Sequence, residues 1–120
     1  NSCGVVCDTS GPNAFKNLMA ALRARFGSNA VITAAITQDG RPGKTMDKSD
    51  YAGAANYVDW LMPMTYGAWG SWAPKGPTGL HTPLVDYSAA PLHGLDASNT
   101  ITQLILRGVP ASKILLGVDF

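Results

Sequence analysis

The sequence predicts an α/β domain built on a parallel sheet. Segments of helical apolar spacing alternate with short β-branched runs along its 120 residues, in the order α-β-α-β-α-β. Such alternation implies parallel strands joined by right-handed crossovers. The composition is that of a globular chain, 46% hydrophobic and 14% charged, and the length suffices for one domain at most.

The first helix is expected from Pro12 to Phe26, where Phe15, Leu18, Met19, Leu22 and Phe26 fall on one stripe. Ser10 is a candidate N-cap, Pro12 suits a first turn, and Gly27 stands where a left-handed stop is wanted. Arg23 and Arg25 occupy the last turn, which the helix dipole favours for cations. Val31 to Ile36 follows as a strand, apolar enough to be buried on both faces. Gln38 to Gly43 is a loop by its turn residues. A second helix, capped by Asp47 or Ser49, runs to about Tyr57 with Tyr51, Ala54, Ala55 and Val58 inward. Tyr57 to Met64 reads as the second strand, although Pro63 removes a ladder donor. Residues 65 to 95 are irregular, with five Gly and four Pro, a length that compact domains rarely carry without a functional reason. Asp96 or Ser98 then caps a third helix with Ile101, Leu104 and Ile105 inward and Gly108 at its end. Lys113 to Val118 is the last strand.

Two architectures accommodate this order, a doubly wound open sheet and a slice of a (β/α)8 barrel, which closes at about 250 residues. No Gly-x-Gly-x-x-Gly or Walker-type loop follows a strand, which weighs against a nucleotide-binding sheet. The chain opens at Asn1 with neither initiator Met nor signal peptide and stops at Phe120 just past an apolar run. An internal piece of a longer protein, part of a barrel, is therefore expected.

Nine Lys and Arg against eight acids leave a net charge of +1, too weak a field to argue for nucleic acid or an anionic membrane. The longest apolar run, Ala30 to Ile36, is far short of the roughly 20 residues that span a bilayer. All eight acids are Asp, so a step needing a Glu proton donor cannot be completed by these residues alone.

In either architecture the functional face lies at the C-terminal ends of the strands. Tyr66 follows the second strand and reads either as a rim hydroxyl for a ligand carbonyl or as a core tyrosine with one hydrogen bond. Trp69 and Trp72 lie just after it among small residues, placed either to stack on sugar rings or to pin the loop; Trp60 reads as core. Asp59 begins a strand and is assigned a structural role, whereas Asp119 ends one and points toward the functional end. His81 and His93 read as loop histidines. Cys3 and Cys7 are close enough to bridge across a turn, which would imply an oxidising compartment. Free thiols are the alternative, and a zinc site lacks a second ligand pair. No Gly-x-Ser-x-Gly elbow is present for a Ser-His-Asp set.

From Tyr57-Val-Asp-Trp-Leu-Met-Pro-Met-Thr-Tyr66 onward the chain resembles the family 18 glycoside hydrolases, in particular secreted chitinases of the kind actinomycetes make. The resemblance continues through Trp69 to Thr78, His81 to Leu84 and Gly108 to Gly117, and upstream through Asn1 to Cys3, Cys7 to Gly11, Phe15 to Gly27 and Ile32 to Ala35. It implies that residues 1–120 are part of a single catalytic (β/α)8 domain truncated at both ends, resembling helix 4 through strand 7. It also implies endo-acting hydrolysis of β-1,4-linked N-acetylglucosamine polymers, retaining and substrate-assisted. No cofactor is implied, the partner is chitin or a chitooligosaccharide, and the parent is expected to be a secreted monomer. The proton-donating Glu belongs to an Asp-x-x-Asp-x-Asp-x-Glu motif expected just before Asn1, so the piece alone is expected to be inactive.

The family's strand 6 signature, Met-x-Tyr-Asp, is matched by Met64 and Tyr66. Tyr66 would hydrogen-bond the substrate's acetamido oxygen, Met64 would line the same −1 site, and Trp69 or Trp72 would stack on neighbouring sugars. Two positions depart. Gly67 stands where the family usually has Asp, and Asp119 precedes Phe120 where Gly or Pro is usual. Gly67 makes a chitinase-like lectin the alternative reading, and removing a preorganised group of this kind typically costs several kcal/mol of transition-state stabilisation.

Overall fold

A computed structural model describes residues 6–120. Cys3, and with it the expected Cys3–Cys7 bridge, lies outside the described residues.

Helix α1 covers Asn13–Phe26. Ser10 is not its side-chain cap: Pro12 takes the capping position, and Ser10 contributes only its carbonyl, which accepts from the Asn13 N–H at 3.2 Å. Gly27 ends the helix at φ 81°, its N–H donating to the Arg23 carbonyl. Met19 is buried, and Phe15 and Leu22 pack against the core, but Leu18 and Phe26 stay exposed. The packed stripe is thus narrower and shorter than the sequence suggests, because Leu18 lies off the line of Phe15, Met19 and Leu22 and Phe26 is the last residue of the helix.

Strands β1 (Thr33–Ile36) and β2 (Trp60–Pro63) pair in parallel, Thr33 opposite Trp60 and Ile36 opposite Pro63. Pro63 is tolerated because it is the final strand residue, and the next N–H, that of Met64, reaches the Ile36 carbonyl at 3.0 Å. The strands are not buried on both faces. Ile36, Leu61 and Pro63 are buried, while Thr33, Ala35 and Trp60 are exposed. Trp60 is therefore not core. The expected strand from Lys113 to Val118 is reduced to one parallel bridge, Leu61 with Ile114, extended by the Leu115 N–H to the Leu61 carbonyl. A 3-10 turn at Ala111–Lys113 leads into it, and among the described residues no further strand lies on its outer side to continue the ladder.

The second helix is also shorter than expected. A 3-10 turn occupies Thr45–Lys48, and α2 is a single turn, Tyr51–Ala54. Its cap is Asp50, not Asp47 or Ser49; the Asp50 carboxylate accepts the Gly53 N–H at 2.8 Å. A Cβ at Gly53 would collide with that carboxylate, so the residue that permits the cap also weakens the helix. The expected inner set of Tyr51, Ala54, Ala55 and Val58 is buried all the same. Helix α3 covers Ala97–Leu106 and is capped by Asp96, which accepts the Asn99 N–H at 2.8 Å. Leu104 is inaccessible, but Ile105 is exposed; Thr100 is buried instead, its hydroxyl 2.8 Å from the Gln38 carbonyl and 2.9 Å from that of Asp96.

Met46, Val58, Leu61, Leu104 and Val109 form the centre of the core, between the helices and one face of the sheet. At the N-terminal end of the strands Arg23 donates to the carbonyls of Tyr57 (2.9 Å), Gly27 (2.9 Å) and Ala30 (2.7 Å) and to Asp59 (2.8 Å). Asp59 also accepts the Ile32 N–H at 2.7 Å. The Ile32 amide, aided by Arg23, holds its carboxyl below the usual range. Asp59 is structural, as the sequence indicated.

Candidate functional site

The C-terminal end of β2 delivers Met64, Thr65 and Tyr66 to the rim. Met64 is exposed, Thr65 is buried and Tyr66 is half-buried. The Thr65 hydroxyl donates to the Gly117 carbonyl at 2.6 Å, drawing the segment after Ile114 against the end of β2. Gly117 has no room for a side chain. A Cβ there would collide with the Pro63 carbonyl and sit 3.1 Å from the Tyr66 ring. From the other side, Gln38 Nε2 donates to the Tyr66 carbonyl at 2.6 Å. Tyr66 is therefore held by backbone and ring, with part of its surface open.

Asp39, in the loop after β1, is engaged elsewhere. Arg41 donates to both its carboxylate oxygens, at 2.8 and 2.7 Å, and keeps the carboxyl below the usual range.

The segment after Tyr66 is ordered by its own contacts. Gly67 adopts φ 69° and turns the chain. The Ala68 N–H then donates to the His81 carbonyl at 2.8 Å, and further on the Ala97 N–H reaches the Pro83 carbonyl at 3.0 Å. The two tryptophans part company. Trp69 is half-buried, its indole N–H donating to the Pro77 carbonyl at 2.7 Å and its ring lying so close to Gly79 that a Cβ there would clash. It pins the loop. Trp72 is 60% exposed and lies across His81, ring centroids 6.0 Å apart.

His81 is the rim residue that the sequence reading passed over. Its Nδ1 lies 2.8 Å from the Trp69 carbonyl and its Nε2 lies 3.3 Å from Asp119 Oδ2. Nothing in its spacing announces this, since the partners are 12 residues before it and 38 after. Asp119, expected at the functional end, is found there. The second histidine serves the loop: His93 Nδ1 meets Asp86 at 3.1 Å and holds that carboxyl below its usual range, helped by the Tyr87 and Gly94 N–H groups.

One rim thus gathers a half-open phenol, an open indole and an imidazole–carboxylate pair. These can hydrogen-bond a polar ligand and stack on an apolar sugar face. Among the described residues no group of three His, Cys, Asp or Glu is placed to hold a metal ion.

The sequence signature of glycosyl hydrolases family 18 matches residues 4–120. Chitinase C of Streptomyces lividans is 46% identical over 121 residues, covering the whole chain and 20% of that protein's length. The chitinase domain of the spore coat protein CotE from Clostridium difficile superposes with a TM-score of 0.74 at 27% identity, over 93% of this chain and 32% of that one. A class V chitinase from Nicotiana tobaccum, a mutant solved in complex with NAG4, gives a TM-score of 0.61 at 26% identity, over 87% of this chain and 28% of that one. With the signature matched over nearly every residue and the rim assembled at the end of β2, the chain belongs to family 18 of the glycosyl hydrolases.

Proposed function

We propose that the whole protein carrying these residues is a secreted, monomeric chitinase that cleaves β-1,4-linked N-acetylglucosamine polymers internally. In this reading residues 1–120 form helix 4 through strand 7 of a single (β/α)8 catalytic domain. The reaction is retaining and substrate-assisted. A Glu ahead of Asn1 protonates the glycosidic oxygen, while the substrate's N-acetyl carbonyl attacks the anomeric carbon. Tyr66 donates its hydroxyl to that acetamido oxygen, Met64 lines the same subsite, and Trp72 stacks on an adjoining sugar. Trp69 acts on the loop that carries Trp72. Cys3 and Cys7 bridge in the oxidising exterior, and no cofactor takes part.

The observation that carries this reading is the placement of Tyr66. It stands half-open at the C-terminal end of a parallel strand, the end at which such sheets bind ligands, gripped by Gln38 and packed on Gly117. Gly67 supports a second reading, a carbohydrate-binding protein without turnover. Incubating the whole protein with chitotetraose and following product anomers separates them. Shorter oligosaccharides of retained β configuration are expected; tight binding with intact tetramer would favour the lectin.

A further inference from the structure

The ladder between β1 and β2 stops one step short of Tyr66, and a side chain takes over from it. The last backbone bond of the pair runs from the Met64 N–H to the Ile36 carbonyl at 3.0 Å. In a parallel pair this bond recurs at every second residue of both strands, so the next one would join the Tyr66 N–H to the Gln38 carbonyl. Neither group is used that way. The Tyr66 N–H turns back to the Met64 carbonyl at 2.8 Å, and the Gln38 carbonyl faces the Thr100 hydroxyl at 2.8 Å. The two strand ends are bridged instead by the Gln38 amide, whose Nε2 donates to the Tyr66 carbonyl at 2.6 Å. That carbonyl can only accept, which fixes the amide with its NH2 group toward Tyr66. Thr100 is inaccessible and belongs to α3, so the helix holds the main chain of Gln38 while Gln38 holds that of Tyr66. Immediately afterwards Gly67 turns the chain at φ 69°, leaving the Tyr66 carbonyl as the last main-chain acceptor before the turn.

We infer that Gln38 is a positioning residue for Tyr66, setting where the phenol stands on the rim through the carbonyl of that residue. This deepens the proposed function and rests on it. A backbone ladder would accept almost any residue at position 38, whereas the bridge needs a donor at the end of a side chain of this length. Gln38 acts without touching the sugar. Removing its donor leaves the Tyr66 hydroxyl chemically intact but frees the main chain that carries it. The hydroxyl must meet the acetamido oxygen as that oxygen attacks, and a small misplacement of such a group falls on the chemical step more than on ground-state binding.

The test uses the whole protein, with chitotetraose turnover and chitotetraose binding read on each variant. Gln38→Met keeps the length of the side chain and removes the donor. It is expected to lower kcat at least fivefold with KM changed less than threefold. In a Tyr66→Phe background the same substitution is expected to change kcat less than twofold, because the hydroxyl that Gln38 positions is already gone. A Gln38→Met protein with kcat within twofold of the original overturns the inference. An equal fall in the original and Tyr66→Phe backgrounds also overturns it, since a purely structural bridge would give that result. Should Gln38→Met fail to fold, Gln38→Asn, too short to reach the carbonyl, is held to the same limits. Full turnover in Tyr66→Phe alone removes the proposed role of Tyr66, and the inference with it. If the original protein binds without turnover, the chitinase reading fails and the pair is judged on affinity. A fivefold weakening by Gln38→Met that is absent in the Tyr66→Phe background then supports it, and an unchanged affinity overturns it. An original protein that neither binds nor cleaves removes both.

Discussion

The two ends of the sheet treat their charged groups in opposite ways. At the N-terminal end Arg23 and Asp59 face partners within the chain: the guanidinium reaches four carbonyls and the carboxylate, and the same carboxylate oxygen also takes a backbone N–H. At the C-terminal end Tyr66, Trp72, His81 and Asp119 are each gripped on one side and open on the other. Both ends use long-range contacts, so distance along the chain does not distinguish them. What does is the number of partners each group already has. A guanidinium spread over four carbonyls and a carboxylate holds the fold, whereas a side chain with one partner and an exposed face can still bind.

Substitutions on either side of that divide should separate stability from activity. The largest effect is expected for Leu61→Ala in the whole protein, since Leu61 is fully inaccessible in the central strand. It should cost about 2–5 kcal/mol in urea unfolding. A cost below about 1 kcal/mol would mean that the packed face is not the core. Tyr66→Phe should do the reverse, lowering chitotetraose kcat by roughly a hundredfold, about 2.7 kcal/mol, with the urea midpoint nearly unchanged. Equal losses of midpoint and activity would return Tyr66 to a structural role.

The tryptophans sharpen the comparison within one loop. Trp72→Ala should weaken chitotetraose binding by roughly fivefold, about 1 kcal/mol, while leaving thermal stability intact. Trp69→Ala should lower stability, because a half-buried ring and its bond to Pro77 are lost. The opposite pattern in calorimetry and fluorescence titration would exchange their roles. The smallest effect is in pH. Asp39, Asp50, Asp59 and Asp86 all have carboxyls held below the usual range. Their contribution is complete above the unfolded value of about 3.9 and is lost as pH falls through the lower folded values. The urea midpoint should thus be insensitive to these groups from pH 5 upward and decline below about pH 4. A midpoint maintained to pH 3 would show that these contacts contribute nothing.

Helix α1 was legible because a proline start, a packed stripe and a glycine stop all agree over 14 residues. The parallel pairing of β1 and β2 followed from alternation alone. The second helix was overread because apolar spacing carries no trace of Gly53 serving the Asp50 cap, and that glycine limits the helix. The last strand was overread for another reason: beyond the Ile114 bridge and the Leu115 N–H to Leu61, the Gly117 carbonyl goes to the Thr65 hydroxyl and not to a ladder N–H. In the rim, Tyr66 and Asp119 could be located because each follows an apolar run, and strand ends are where ligands bind. His81 could not. Its position depends on a loop path fixed by the Ala68 and Trp69 backbone contacts, which no local pattern encodes.

The bond from Thr65 to Gly117 joins residues 52 apart in sequence. During synthesis, then, the segment bearing Tyr66 and the loop bearing His81 leave the ribosome well before their last partner exists. The rim is finished only when residues 117 to 119 have emerged, and closing so long a loop carries an entropic cost that local turns do not. A nascent chain halted before Gly117 has its Arg23 clamp in reach but no means of completing the ligand-facing end. Ribosome-stalled chains of increasing length should therefore acquire the two ends of this sheet in sequence, the scaffold first and the binding rim last.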